Sequence, residues 1–402
     1  MSKIFRVWGD IIHDSRGDPT VQASVQTDNN VVGSAAIPAG ASKGAFEASI
    51  VEVGQAVKNI SELIEPVLRG VDVTDQRLID QKMIDLDGTS NKAKLGANSI
   101  LGVSMAVARA GAKTTDQELY RYIATLADRK SFTLPIPMFN LINGGKHATN
   151  NLDIQEFMVV PDRLSGYHNQ LSAGQLIFTT LGQIMDADHI SRSFGDEGGY
   201  APNLDTNEMA CDYLVRAIKD SGYKKWEEVS LALDVAASNV PPTFDMTPSR
   251  YLGFLEDFPI LSLEDPFPEE NWEDWSKFLL QVEKSVATDK KILLVGDDLY
   301  VTNPQRLQRG IEEKTTNAVL IKLNQIGSVS ETMTVMEMAR SAGMVTIVSH
   351  RSGETLDDFI ADFAVGTGAQ FIKSGAPNEA HPERMTKYRR LLTIERQLLT
   401  PQ

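Results

Sequence analysis

Six apolar segments in the second half of the chain each end on residues able to do chemistry. LALDVA ends near Asp234, ILSLEDP near Glu264, KILLVGDD near Asp297, NAVLIKLN near Lys322, MVTIVSHRS near His350 and Arg351, and AQFIKSG near Lys373. Asp234, Glu264 and Asp297 offer three hard oxygen ligands from three separate segments, with water or substrate completing the octahedron that Mg2+ prefers. Any one of them alone reads as a cap for the helix that follows. Three at matched positions read as a metal set. Between Asp297 and its neighbour Asp298 the sequence does not decide, although the second acid is the better candidate for a cap or for a place behind the ligands.

Lys322 and Lys373 sit at the ends of apolar segments, where a solvated surface charge is hard to accommodate. Near a metal and a second lysine their pKa is expected to be depressed, and a neutral lysine is a competent general base. The bland alternative is a buried ion pair with one of the acids. Arg351 and Ser352, with Ser42 from the loop AGASKGAFEA, form a candidate clamp for phosphate or carboxylate, since Arg suits bidentate oxyanion binding. Ser42 alone would read as turn chemistry. Glu156 and Glu197 lie in glycine-lined settings, and clustered carboxylates raise one another's pKa, so one can stay protonated as a general acid. Asp196–Glu197 taken alone would be a solvated turn. His147, in NGGKHATNN, is placed to swing in with its loop, although a lone histidine there is more often structural.

A divalent metal, a neutral lysine, a carboxylic acid and an oxyanion clamp together suit abstraction of a proton α to a carboxylate. Such a carbon acid is too weak for a lysine unless the enolate-like charge is neutralised, here by Mg2+ and Lys373. A protonated carboxyl opposite the base then helps a β-hydroxyl leave. The expected reaction class is β-elimination of water.

These groups need a scaffold that brings six segment ends together. Each segment is short and rich in β-branched residues, as expected of strands buried on both faces. The marked residues recur at intervals of 23 to 33 positions, about one strand–helix unit each. That repeat predicts a (β/α) barrel whose strand tips converge on one face. Upstream, residues 3–38 predict a three-stranded antiparallel meander with turns at DSRGDP and DNN, and residues 46–127 predict mainly helix. The nearly apolar run Ile100–Ala110 is expected to pack on the meander. Residues 128–139, charged and then proline-punctuated, mark a boundary. The expected architecture is α/β: a small N-terminal α+β domain over 1–130, then a modified (β/α)8 TIM-like barrel over 131–402.

Composition narrows the function classes. A chain of 402 residues, 42% hydrophobic and 23% charged, has ample core for two domains. A net charge of −15 argues against nucleic acid, whose phosphates would be repelled. An anionic substrate then requires locally concentrated cations. The single cysteine, Cys211, excludes an internal disulfide and fits a reducing cytosol. No apolar run approaches the ~20 residues of a membrane span, and the N-terminus has no signal core. A soluble cytoplasmic protein without membrane contact is expected.

The chain resembles the enolase family nearly end to end. The matches are DSRGDPTV, AGASKGAFEA, KLGANSILGVSMA, INGGKHATNN, DIQEFM, GDEGGYAPN, LALDVAAS, SLEDPF, GDDLYVTNP, IKLNQIG, SHRSGET and IKSGAP, in that order. The resemblance implies a hydro-lyase of glycolysis that converts 2-phosphoglycerate to phosphoenolpyruvate, reversibly. It implies Lys322 as general base and Glu197 as general acid, with Glu156, Gln155 and His147 around the leaving hydroxyl. Asp234, Glu264 and Asp297 would hold one Mg2+, and Ser42 a second that arrives with substrate. Arg351 and Ser352 would meet the phosphate, and Lys373 the substrate carboxylate. The implied assembly is a homodimer, with octamers among some bacterial members.

The sequence also departs from the family pattern. After IKSGAP an RSER-like run is usual; here NEAHPERMTKYRR is longer, with His381-Pro382 in place of Arg-Ser. Gln22 replaces the acid usual after RGNPTV, Lys43 makes the usual PSGASTG loop PAGASKG, and the stretch around 240–255 is short. Lys43 and the altered segment motivate an alternative, a paralogue dehydrating a phosphonate analogue of 2-phosphoglycerate in a secondary pathway. A non-catalytic binding or structural protein is a third class, disfavoured by the intact Lys322, Glu197 and metal acids.

Overall fold

A computed structural model describes residues 2–40, 44–285 and 291–400. Strands β1 (Ile4–His13), β2 (Pro19–Thr27) and β3 (Val32–Ala36) form the expected antiparallel meander in the order β1-β2-β3. The helix Ala97–Thr114 lies across β2 and β3 with nearly every residue buried. Its approach depends on Gly33, where an added Cβ would fall 2.2 Å from the Ala106 carbonyl oxygen. The run Ile100–Ala110 therefore packs where its apolarity predicts. Arg109 on the same helix donates to the Ser34 carbonyl of β3 at 2.8 Å and ion-pairs with Asp357 and Asp358 of the second domain, tying the two domains together.

Eight further strands close into a barrel: β4 (Ile136–Asn143), β5 (Glu156–Val160), β6 (Ser230–Asp234), β7 (Ile260–Glu264), β8 (Leu293–Gly296), β9 (Ala318–Ile321), β10 (Val345–Ser349) and β11 (Phe371–Lys373). Neighbours run parallel except β5, which is antiparallel to both β4 and β6. That reversal is the modification of the regular barrel. It places the start of β5, rather than its end, at the face where the other strands finish. The last helix begins at Pro382, a turn and a half before the Tyr388–Leu399 stretch the sequence marks. Proline suits a first helical position because its missing N–H would have no partner there.

The barrel interior is apolar, filled by Met158, Ala232, Val295, Leu320, Ile347 and Phe371 among others. Side chains in a strand alternate faces, so residues two apart point the same way. Glu156, Asp234, Asp297, Lys322, Ser349 and Lys373 each lie two residues from one of those interior residues, toward the same end of the barrel. The polar tips are thus the top layer of the stack that forms the core. Among the described residues no helix is long and apolar enough to cross a membrane.

Candidate active site

Register sets the first row of the site. Asn143 pairs with Glu156, Glu156 with Asp234, and Asp234 with Glu264, so consecutive strands bring these side chains to one level. Glu156 and Asp234 line a polar chamber that also receives Asp297, Lys322, Arg351, Lys373, His147 and Glu197, and Glu264 reaches Lys373 at its wall. The described part of the loop after β3 borders its mouth through Gly40 and Glu47. That loop is pinned at one end by Ala39, bridged to Gly353, and at the other by the Ala48 N–H on the Gln325 carbonyl at 2.8 Å. Ser42 and Lys43 lie outside the described residues.

Both lysines are ion-paired. Lys373 Nζ lies 2.8 Å from Glu156 Oε2, 2.9 Å from Glu264 Oε2 and 3.7 Å from Asp234 Oδ2. Lys322 Nζ is bound to Asp297 Oδ2. Depressed lysine pKa values were expected beside a metal and a second lysine; with the protein's own groups alone around them, both are raised. Burial works to lower them, but Asp297 outweighs it for Lys322, and Glu156, Glu264 and Asp234 outweigh it for Lys373. The physical reason is the excess of carboxylate around each ammonium, which leaves the buried ion pair as the stable arrangement.

The protonated acid is also not where it was expected. Burial drives Glu156 well above the ordinary carboxylate value, reinforced by Glu197 and opposed by Lys373. Glu197 is held well below it, although burial opposes this. Its Oε2 accepts from Asn140 Nδ2 at 2.9 Å, and His350 Nε2 lies 3.3 Å from Oε1. Burial, helped by Arg384 and Lys373 against the pull of Glu197, lowers His350 to about 3. His350 is therefore neutral at ordinary pH and helps Glu197 through an N–H dipole. The two carboxyls are thus shifted in opposite directions, Glu156 upward and Glu197 downward. His147 Nδ1 stands 3.5 Å from an oxygen of each.

Several buried polar atoms have no hydrogen-bond partner among the described residues, including His147 Nδ1 and Gln155 Oε1. Both belong to residues lining the chamber, where unpartnered buried groups are a cost that a ligand can remove. The amide of Gln155 donates to Asp234 Oδ2 at 3.2 Å. Asp234 Oδ1 accepts from the Ala236 N–H at 3.0 Å, and Asp297 Oδ1 from Gln325 Nε2 at 2.9 Å. Asp234, Glu264 and Asp297 are thus rigidly held, buried, all-oxygen donors, and this donor chemistry fits a hard divalent cation. Two groups are close enough to share a metal ion as they stand: His147 with Glu156 and Glu197, and Asp297 with Asp265 and Asp298.

Asp265 was missed by sequence reasoning. Its carboxylate accepts the backbone N–H groups of Asp297 at 3.0 Å and Asp298 at 2.8 Å, fixing the loop after β8. Burial, with Asp298 and Asp297 adding to it, pushes it well above the usual range. Asp298, raised to about 7 by burial and by Asp297, does not cap a helix. Glu47 was missed too. It binds Arg351 with both oxygens, at 3.1 and 3.2 Å, while Asn324 accepts from the same guanidinium at 2.8 Å. Glu47 was visible only as one acid in a small-residue loop. The fully buried Arg384 contacts four groups beneath the site; in the sequence it stood only in the segment after IKSGAP that departs from the family pattern.

Two family models match the chain. The one described as the enolase N-terminal domain covers residues 4–123. The one described as the enolase C-terminal TIM barrel domain covers 131–247 and 242–401.

Proposed function

The chain belongs to the enolase family, and we propose that it catalyses the reversible dehydration of 2-phospho-D-glycerate to phosphoenolpyruvate. The observation that carries this reading is the convergence of Lys322, Lys373, three strand-end acids and the Glu156–His147–Glu197 group on one buried chamber. Lys322 takes the α-proton, and for that it must be released from Asp297. Lys373, already surrounded by carboxylates, is positioned to meet the substrate carboxylate and the charge that builds on it. Held by Asp234, Glu264 and Asp297, Mg2+ would supply Lewis-acid stabilisation of the enolate-like intermediate.

Glu156 and Glu197, bridged by His147, form the acid end. The β-hydroxyl leaves as water with a proton from this pair, Glu197 being the member singled out by its motif and Glu156 the one whose carboxyl is shifted upward. Gln155 Oε1 is available to the hydroxyl. Arg351 and Ser352 take the phosphate, and Glu47 yields Arg351 to it. Ser42 would join a second Mg2+ that arrives with substrate. On the same family footing we propose a cytoplasmic, glycolytic homodimer.

The test is absorbance at the enol-ester band on adding 2-phosphoglycerate with Mg2+, then EDTA. Magnesium-dependent formation of phosphoenolpyruvate is expected. Turnover of a phosphonate analogue but not of 2-phosphoglycerate would move the assignment to the secondary-pathway reading. A folded protein that binds Mg2+ and eliminates water from neither would overturn both.

A further inference from the structure

Arg384 is fully buried in the first turn of the Pro382–Leu399 helix. Its Nη1 lies 2.7 Å from His350 Nδ1 and 2.6 Å from the Arg351 carbonyl oxygen. Its Nη2 donates to the Ser352 carbonyl at 2.5 Å and to the Asp196 carbonyl at 2.8 Å. One guanidinium therefore joins the backbone of the anion clamp to the backbone of the loop that carries Glu197. The segment before the helix grips that loop as well. The Ala376 N–H donates to the Glu197 carbonyl at 3.0 Å and Asn378 Nδ2 to the Gly198 carbonyl at 3.1 Å. The His381 ring underlies Gly198, where an added Cβ would come within 2.9 Å of it.

The contact to His350 has a chemical consequence. A guanidinium only donates hydrogen bonds and keeps its protons at any working pH. At 2.7 Å His350 Nδ1 must therefore be the acceptor, which means it carries no proton. A neutral imidazole has one N–H, so the proton sits on Nε2, and Nε2 is the nitrogen 3.3 Å from Glu197 Oε1. Nε2 is out of line for a full hydrogen bond here, as catalytic contacts often are before substrate tightens them. With the other tautomer, a lone pair would face the Glu197 carboxylate and two N–H groups would collide at Nδ1.

We infer that Arg384 is a positioning residue that locks His350 as the neutral Nε2–H tautomer and so aims a proton donor at Glu197. The kinetic part rests on the proposed dehydration; the tautomer part does not. Its partner is chosen by distance in the fold, since Arg384 lies 34 residues from His350 in the chain. With His381 at the cap position and Pro382 as its first residue, the helix places Arg384 in its first turn.

The experiment is long-range 1H–15N correlation of 15N-histidine-labelled protein at neutral pH, with His350 assigned by its loss in His350→Phe. Wild type is expected to show the Nε2–H pattern. Arg384→Lys, which retains a charged donor, should keep it, and Arg384→Met should lose it. In turnover of 2-phosphoglycerate, Arg384→Met should lower kcat on the order of 10- to 100-fold, as loss of an orienting partner does. The Nδ1–H pattern in wild type, or an unchanged pattern in Arg384→Met, would overturn the inference whatever the substrate is. If Arg384→Met does not fold, the wild-type and Arg384→Lys spectra decide alone. A correct tautomer in a protein inactive on 2-phosphoglycerate would leave the lock standing and remove the proposed substrate.

Discussion

Lys322 and Asp297 form an ion pair at adjacent strand ends, so the proposed base is held protonated by a proposed metal ligand. Neutralising Asp297 with a divalent cation removes the partner that keeps Lys322 charged. Metal binding and proton loss are therefore linked, and Glu264, which burial holds well above the ordinary carboxylate value, must also be ionised to bind a cation. Mg2+ binding is expected to release protons and to tighten as pH rises. Calorimetry in buffers of different ionisation heat measures this directly. PH-independent affinity with no proton release would show that the pair and the metal site are separate.

Under the proposed function Glu47 would compete with the substrate phosphate for Arg351. A phosphate entering the clamp has to displace a carboxylate that makes two hydrogen bonds to the guanidinium. Glu47→Gln removes the charge and keeps the shape. Inorganic phosphate should bind Glu47→Gln roughly three- to tenfold more tightly than wild type, the scale of one charge-assisted hydrogen bond. Weaker binding would mean that Glu47 holds Arg351 in place for the anion.

The two domains are joined through Arg109. Asp357, almost fully enclosed, also accepts from the Ala36 N–H at 2.9 Å, and burial would raise it strongly without the guanidinium. Arg109→Met leaves that carboxylate unpaired, at a cost of about 3–5 kcal/mol. Thermal or denaturant unfolding checks it, and the double variant Arg109→Met/Asp357→Asn should recover part of the loss.

Asp80 gives stability a pH dependence of its own. It is fully buried at the domain junction, where it accepts from Gln76 Nε2 at 3.1 Å and the Ser330 N–H at 2.9 Å. Burial outweighs those bonds and pushes its carboxyl up to about 6. The folded state thus holds the proton at pH values where the unfolded chain has lost it. Stability from this group is present below the ordinary carboxylate value and is lost as pH rises through about 6, the whole effect being ~2–3 kcal/mol at most. Wild type minus Asp80→Asn, compared by denaturant unfolding, should decline across that window and be flat above it. A difference that rises with pH would reverse the assignment.

The fold was legible in the sequence because each barrel strand is a short apolar run with a polar tip, and period two carries the tip onto the core's own axis. Asp234 and Lys373 are clear examples, each two residues beyond an interior side chain. Electrostatics were not legible in the same way. Whether a lysine is neutral depends on how many carboxylates the other strands bring to it, and for Lys373 those come from three strands. Glu156 and Glu197 look alike in sequence and differ because His350, His147 and Asn140 gather around Glu197, which only the closed barrel assembles. Arg384 and Asp265 act through backbone groups far from them in the chain, so no local pattern marks them.

The most direct test of the central claim is exchange of the α-proton of 2-phosphoglycerate with solvent deuterium in the presence of Mg2+. Wild type should exchange and eliminate. Lys322→Ala should do neither, losing on the order of 100- to 10,000-fold, the usual contribution of a general base. Glu197→Gln should keep exchange while losing elimination, because proton abstraction precedes departure of the hydroxyl. Exchange that persists in well-folded Lys322→Ala would contradict the account at its centre.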